Sequence, residues 1–127
     1  MQHRTNCRLG NLQLQIMRVL WQRGSATVAE VREDLNGQAL AYTTIATMLR
    51  KMEARGLVDH HSLDRRFVYR ALVSEDDVTR TMADDLVDRL FGGSLSAAVS
   101  HLLKTRDVSP PELADLERLV QRHKTRR

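Results

Sequence analysis

Thr43, Thr47, Arg50 and Ala54 recur at spacings of three and four residues. On a helix they share one side, with Lys51 at its edge. That side is narrow, short-chained, hydroxyl-bearing and positive. Threonine hydroxyls approach phosphates and base edges closely, and an arginine guanidinium forks onto a guanine or a phosphate. The chemistry on offer is binding chemistry, suited to a helix pressed into the major groove of DNA. A second cationic element follows at Leu63-Asp64-Arg65-Arg66, a polar turn with two adjacent arginines. Alone, such a turn is as often merely solvated as it is a phosphate or minor-groove contact. Directly after a basic helix, the contact is the better reading.

The elements that must position these residues are legible around them. Ile45, Met48, Leu49 and Met52 form the apolar stripe opposite the threonines, so the segment from Ala41 onward reads as an amphipathic helix. Gly56 ends it after Arg55. Upstream, Leu12, Ile16, Val19 and Leu20 stripe a first helix, with Trp21 near its end as a core residue and Gly24 as its stop. Thr27-Val28-Ala29-Glu30 fits a capping box. Val28, Val31 and Leu35 then give a short second helix that breaks at Asn36-Gly37. Helix, helix, turn, helix is a helix-turn-helix core with the Thr43 helix in the reading position. Leu57-Val58-Asp59-His60-His61 and Phe67 to Val73 are short β-branched and aromatic runs, expected to form a two-stranded wing with the arginine turn at its tip.

The last third is built for association. Ser74 and the acids that follow it start a helix in which Val78, Met82, Leu86 and Leu90 recur every four residues, until Gly92-Gly93. A second helix opens at Ser94 or Ser96 and carries Leu95, Ala98, Val99, Leu102 and Leu103. Ser109-Pro110-Pro111-Glu112 is a start signal for a third, striped by Leu113, Leu116, Leu119 and Val120. Three short amphipathic helices present more apolar face than about fifty residues can cover internally. They either pack back on the first part of the chain or pair with a second copy. Pairing through Val78, Met82, Leu86, Leu90, Leu102, Leu116 and Leu119 is the expectation, because two-fold homodimers are the commonest oligomers and a palindromic site needs one.

Composition agrees. The 127 residues suit one domain, or a small domain with an appended element. Residues 1–73 hold eleven Lys/Arg against six Asp/Glu, residues 74–117 four against ten, and residues 118–127 five against none. A basic first half beside an acidic middle directs a polyanion to the first half only. Cys7, the only cysteine, forms no internal disulfide and fits a reducing, cytoplasmic setting. No apolar run is long enough to span a bilayer, so no membrane insertion is expected. Met1-Gln2-His3-Arg4 lacks the apolar stretch that follows the start of a secretory signal.

Little in the chain suggests catalysis or a metal. His60 and His61, adjacent on a strand, point to opposite faces and cannot jointly hold an ion. Asp84, Asp85 and Asp88 lie on the polar side of an amphipathic helix, where a solvated face is the default. There is no phosphate-cradling glycine loop and no nucleophile–base pair. The expectation is no enzyme activity, no cofactor and no metal.

Several runs carry a family resemblance. Leu14-x-Ile16-Met17-x-x-Leu20-Trp21, Thr27-Val28-x-Glu30-Val31, Ala41-Tyr42-Thr43-Thr44-Ile45-x-Thr47-Met48-Leu49, Gly56-Leu57-Val58 and Arg66-Phe67-x-Tyr69 resemble the penicillinase-repressor family (BlaI/MecI/CopY). The likeness is strong over residues 9 to 73 and looser beyond. It implies a dimeric winged-helix repressor on a palindromic operator in double-stranded DNA, with Tyr42 and Thr44 joining Thr43, Thr47, Arg50, Lys51, Arg65 and Arg66 in the DNA-binding set. It also implies, for antibiotic-resistance members, a membrane sensor protease that leads to cleavage of the repressor at an Asn-Phe bond. The corresponding stretch here, Ala97 to Leu103, lacks that pair. The metal-sensing branch carries a C-terminal cysteine cluster, which this chain does not have.

The fold class expected is mainly α. Residues 1–73 are assigned to a winged helix-turn-helix DNA-binding domain, with 1–8 poorly ordered, and residues 74–127 to a helical dimerisation region. A chain cut after Val73 is expected to stay folded. The alternative function is a winged-helix protein-interaction module without sequence-specific DNA binding. Such a module would place apolar or acidic residues where Thr43, Thr47, Arg50 and Lys51 stand.

Overall fold

Helix α1 (Asn11–Arg23) starts where the Gln13 side chain accepts a hydrogen bond from the Gly10 amide at 3.2 Å, and it stops at Gly24, whose φ of 85° is open to glycine at little cost. The computed structural model describes residues 8–36 and 39–126. A two-residue strand β1 (Ala26–Thr27) follows, then α2 (Val28–Asp34). The expected capping box is in place at the start of α2: the Thr27 hydroxyl accepts from the Glu30 amide at 3.1 Å, and Glu30 accepts from the Thr27 amide at 2.9 Å. Helix α2 ends with Leu35 as its cap; Gly37, the expected breaker, lies outside the described residues, as do residues 1–7 with Cys7. Arg8, placed with that poorly ordered start, is described, and its carbonyl accepts from Arg55 at 2.6 Å.

Helix α3 (Tyr42–Ala54) is the helix expected there. Strands β2 (Val58–Leu63) and β3 (Arg66–Ala71) form the wing, and β1 adds to the far side of β3, giving an antiparallel sheet in the order β1-β3-β2. Ala26 pairs with Tyr69 and Thr27 with Val68. On the other edge the register runs from Val58–Ala71 to Leu63–Arg66. That register corrects the expected turn. Arg66 is the first residue of β3, not part of the tip. The connection is a two-residue Asp64-Arg65 turn, with φ of 52° and 67°, in the left-handed conformation that tight hairpins require.

Ile16, Met17, Leu20, Val31, Ile45, Leu49, Met52, Leu57 and Val58 are fully buried in one core that joins the three helices to the sheet. Each such side chain contributes roughly 1.5–3 kcal/mol relative to exposure. Trp21 packs against this core and donates from Nε1 to the Val73 carbonyl at 2.9 Å. Its indole thereby fastens α1 to the chain leaving the wing.

Helix α4 (Glu75–Phe91) brings a correction. Val78, 1% exposed, is part of the same core, and Met82 packs against it. Both were expected in a dimer contact; Val78, covered on all sides by its own domain, has no surface left for a second chain, while Met82 is only partly covered. The chain divides into two compact units, the first ending at Asp84 and the second beginning at Asp85. The division falls inside α4, beyond the boundary expected after Val73.

The second unit holds the rest of α4, α5 (Leu95–Thr105) and α6 (Pro110–Thr125). Ser94 caps α5 through the Ala97 amide at 3.0 Å, and Ser109 caps α6 through the Glu112 amide at 3.3 Å, with Pro110 and Pro111 in its first turn. Among the described residues of this unit Ala98 alone is buried, while Leu86, Leu90, Leu102, Leu116 and Leu119 are exposed. No helix among the described residues is long and apolar enough to cross a membrane.

Candidate nucleic-acid interface

The stripe of Ile45, Leu49 and Met52 pins α3 into the core, so its opposite side faces outward. Thr43, Thr44, Arg50 and Lys51 are exposed there and Thr47 is half-buried. Arg50 donates from Nη2 to the Thr47 hydroxyl at 3.3 Å, which holds the guanidinium along the helix with its other donors unused by that contact. Tyr42 is also exposed, at 49%. As the first residue of α3 it has no preceding turn to pack on.

The wing folds over the same side. A groove of about 560 Å³ is lined by Tyr42 and Arg50 from α3, by Arg65 and Arg66 from the hairpin, and by Phe67 and Tyr69 from β3. Four of the eight residues singled out in the sequence thus meet in one depression. Thr43, Thr44, Thr47 and Lys51 do not line it and sit along the α3 surface outside it.

Several other cations are already committed within the fold. Arg23 makes a paired contact with Asp34, with Nε to Oδ2 at 2.8 Å and Nη2 to Oδ1 at 3.0 Å. Arg70 clasps Asp59 across the hairpin at 2.8 and 3.2 Å. These hydrogen bonds hold both carboxyls below their ordinary range, so both pairs are charged at neutral pH. Arg55 donates to Gln13 at 3.0 Å and to the Arg8 carbonyl. By contrast, none of the ion pairs among the described residues involves Arg50, Lys51, Arg65 or Arg66. No such ion pair neutralises their positive charge, and that of Arg50, Arg65 and Arg66 is directed to whatever occupies the groove.

Sequence reasoning missed the residues behind the groove. His60, considered above only as a metal ligand, is half-buried. Its Nδ1 lies 2.7 Å from Glu53 Oε1, and its ring stacks at 4.3 Å on Phe67 and 5.2 Å on Tyr69. His61 is exposed, as two-residue alternation requires. Tyr69 is buried, and burial followed by the nearby Glu53 carboxylate raises its phenol above its ordinary value. The available signal was the same alternation, which puts Val58 and His60 on one face of the hairpin with Phe67 and Tyr69.

Residues 9–122 match a family model described as penicillinase repressor. The chain is 28% identical over 120 residues to the penicillinase repressor of Bacillus licheniformis, with 94% of each protein covered. It is 35% identical over 100 residues to the transcriptional regulator BlaI of Mycobacterium tuberculosis (strain CDC 1551 / Oshkosh), covering 76% of this chain and 72% of that one. Among solved structures, the solution structure of the DNA binding domain of the repressor BlaI is similar at a TM-score of 0.50 and 29% identity. It covers 61% of this chain and 93% of that one.

Proposed function

The chain belongs to the penicillinase repressor family, whose members are transcriptional repressors and not enzymes, and we propose that it represses as a homodimer on a palindromic operator. Each copy lays α3 into a major groove and sets its wing on the neighbouring backbone. One observation carries this reading: Arg50 from α3 and Arg65 and Arg66 from the wing line one groove, and among the described residues no carboxylate pairs with any of them. A protein-interaction module would bring apolar or acidic side chains to the outward face of α3, where Thr43, Thr47, Arg50 and Lys51 stand. Here hydroxyls and guanidinium groups suit phosphates and base edges.

The second unit supplies the two-fold. It has almost no buried core among its described residues, and Leu86, Leu90, Leu102, Leu116 and Leu119 remain exposed. An apolar surface of that kind is stable in water when another copy covers it. One winged helix buries too little to outcompete genomic DNA, whereas two linked half-sites gain through effective concentration. Occupying a promoter in this way blocks transcription without chemistry.

Mobility shifts over a salt series separate the roles of the two cationic elements. Replacing Arg50 by alanine should weaken operator binding by about 1–3 kcal/mol and relax preference at one base position. Equal losses on operator and unrelated DNA would reduce Arg50 to a phosphate contact. Replacing Arg65 and Arg66 together should weaken binding to all DNA and lower the log–log salt slope by roughly one to two. An unchanged slope would mean that the wing arginines are only solvated.

A further inference from the structure

We propose that the contact between His60 and Glu53 is a positioning device, holding the wing over α3 at the spacing from which Arg50, Arg65 and Arg66 reach a single duplex. The inference rests on the DNA-binding reading above and adds residues that do not themselves need to touch DNA.

A two-stranded ribbon is marginally stable by itself. Here β1 supports only the middle of β3, at Tyr69 and Val68. Beyond those pairs the ribbon continues through Ser62–Phe67 and Leu63–Arg66 with no third strand among the described residues. His60 is the cross-strand partner of Tyr69 and so stands in the supported stretch, one pair before it ends at Val68–His61. From there it reaches 2.7 Å to Glu53, in the last turn of α3, and stacks at 4.3 Å on Phe67. Phe67 immediately follows Arg65 and Arg66 and lines the groove with them. A displacement of the ribbon at His60 therefore moves both arginines relative to Arg50. The two side chains of the contact are each about one-third exposed, at 30% and 34%. Partly solvated pairs add little to global stability, so loss of this one should redirect the wing without unfolding the domain.

The test uses the full chain and a duplex that wild-type protein selects from a random pool. His60→Ala should lower affinity about tenfold and should lower the salt slope by about one to two, as the paired arginine replacement does. Combining His60→Ala with Arg65→Ala and Arg66→Ala should cost nothing further, because both changes remove the same contacts. Glu53→Ala should behave like His60→Ala, while Glu53→Gln, which keeps an acceptor oxygen, should stay within about twofold of wild type. Thermal melts of each variant identify any loss due to unfolding, and the Glu53 pair remains decisive if His60→Ala folds poorly. Additive losses in the triple variant, or weaker binding at an unchanged salt slope, would overturn the positioning role and leave the DNA-binding reading intact. Arginine replacements with no effect would remove the wing from DNA binding, and the positioning role with it.

Discussion

Replacing Leu102 and Leu116 by aspartate should yield a folded monomer that binds operator at least about a hundredfold more weakly, the scale on which linked half-sites exceed single ones. Both leucines are exposed in the second unit. Neither belongs to the core that supports α3 and the wing. A carboxylate buried there between two copies, with no partner, costs several kcal/mol, and two-fold symmetry doubles each substitution. Solvated in a monomer, the same carboxylates cost little. Sedimentation equilibrium and mobility shift, run on one preparation, separate assembly from binding. A variant that sediments as a dimer would show that the second unit is not where the copies meet. One that is monomeric yet binds like wild type would show that pairing is not what confers affinity.

The position of Val78 leads to the second large effect. A fragment ending at Asp84 retains Val78 and Met82 and should fold as a monomer with the whole core present. A fragment ending at Val73 lacks both. It should be less stable by about 3–5 kcal/mol, the combined effect of lost burial and the cavity left behind. Small domains have only about 5–15 kcal/mol in total, so the shorter fragment is partly unfolded under mild conditions. Urea unfolding of the two fragments is the check. Matching midpoints would mean that the start of α4 is not part of the domain's stability.

The packing of Val78 and Met82 on their own domain differs from what the sequence led us to expect, and the difference has a physical source. Val78, Met82, Leu86 and Leu90 form one stripe at a constant spacing of four. Periodicity identifies the face of a helix that becomes buried but does not say what buries it. The first half of the stripe meets its own domain, and the second half is left exposed. Where a signal was local, it was legible. The Thr27–Glu30 box, the Ser109-Pro110 start and the stripe of α3 rest on contacts within a few residues, and each is present as expected. Non-local features were not legible. Strand β1 exists only because Ala26 and Thr27 find β3 some forty residues away. The hairpin turn places Asp64 and Arg65 at positive φ without a glycine to announce it. The candidate site divides along the same line. The outward face of α3 follows from helical spacing, but its meeting with Arg65, Arg66 and His60 depends on how the ribbon returns over it.

The central claim is that two copies of this chain read a two-fold site through α3. Sequencing the duplexes that the intact chain retains from a random DNA pool tests it most directly. The account predicts an inverted repeat whose half-site centres lie about one helical turn, or a small multiple of it, apart, with one conserved base pair losing its selection when Arg50 is alanine. Enrichment of a single unrepeated motif, or none at all, would contradict it.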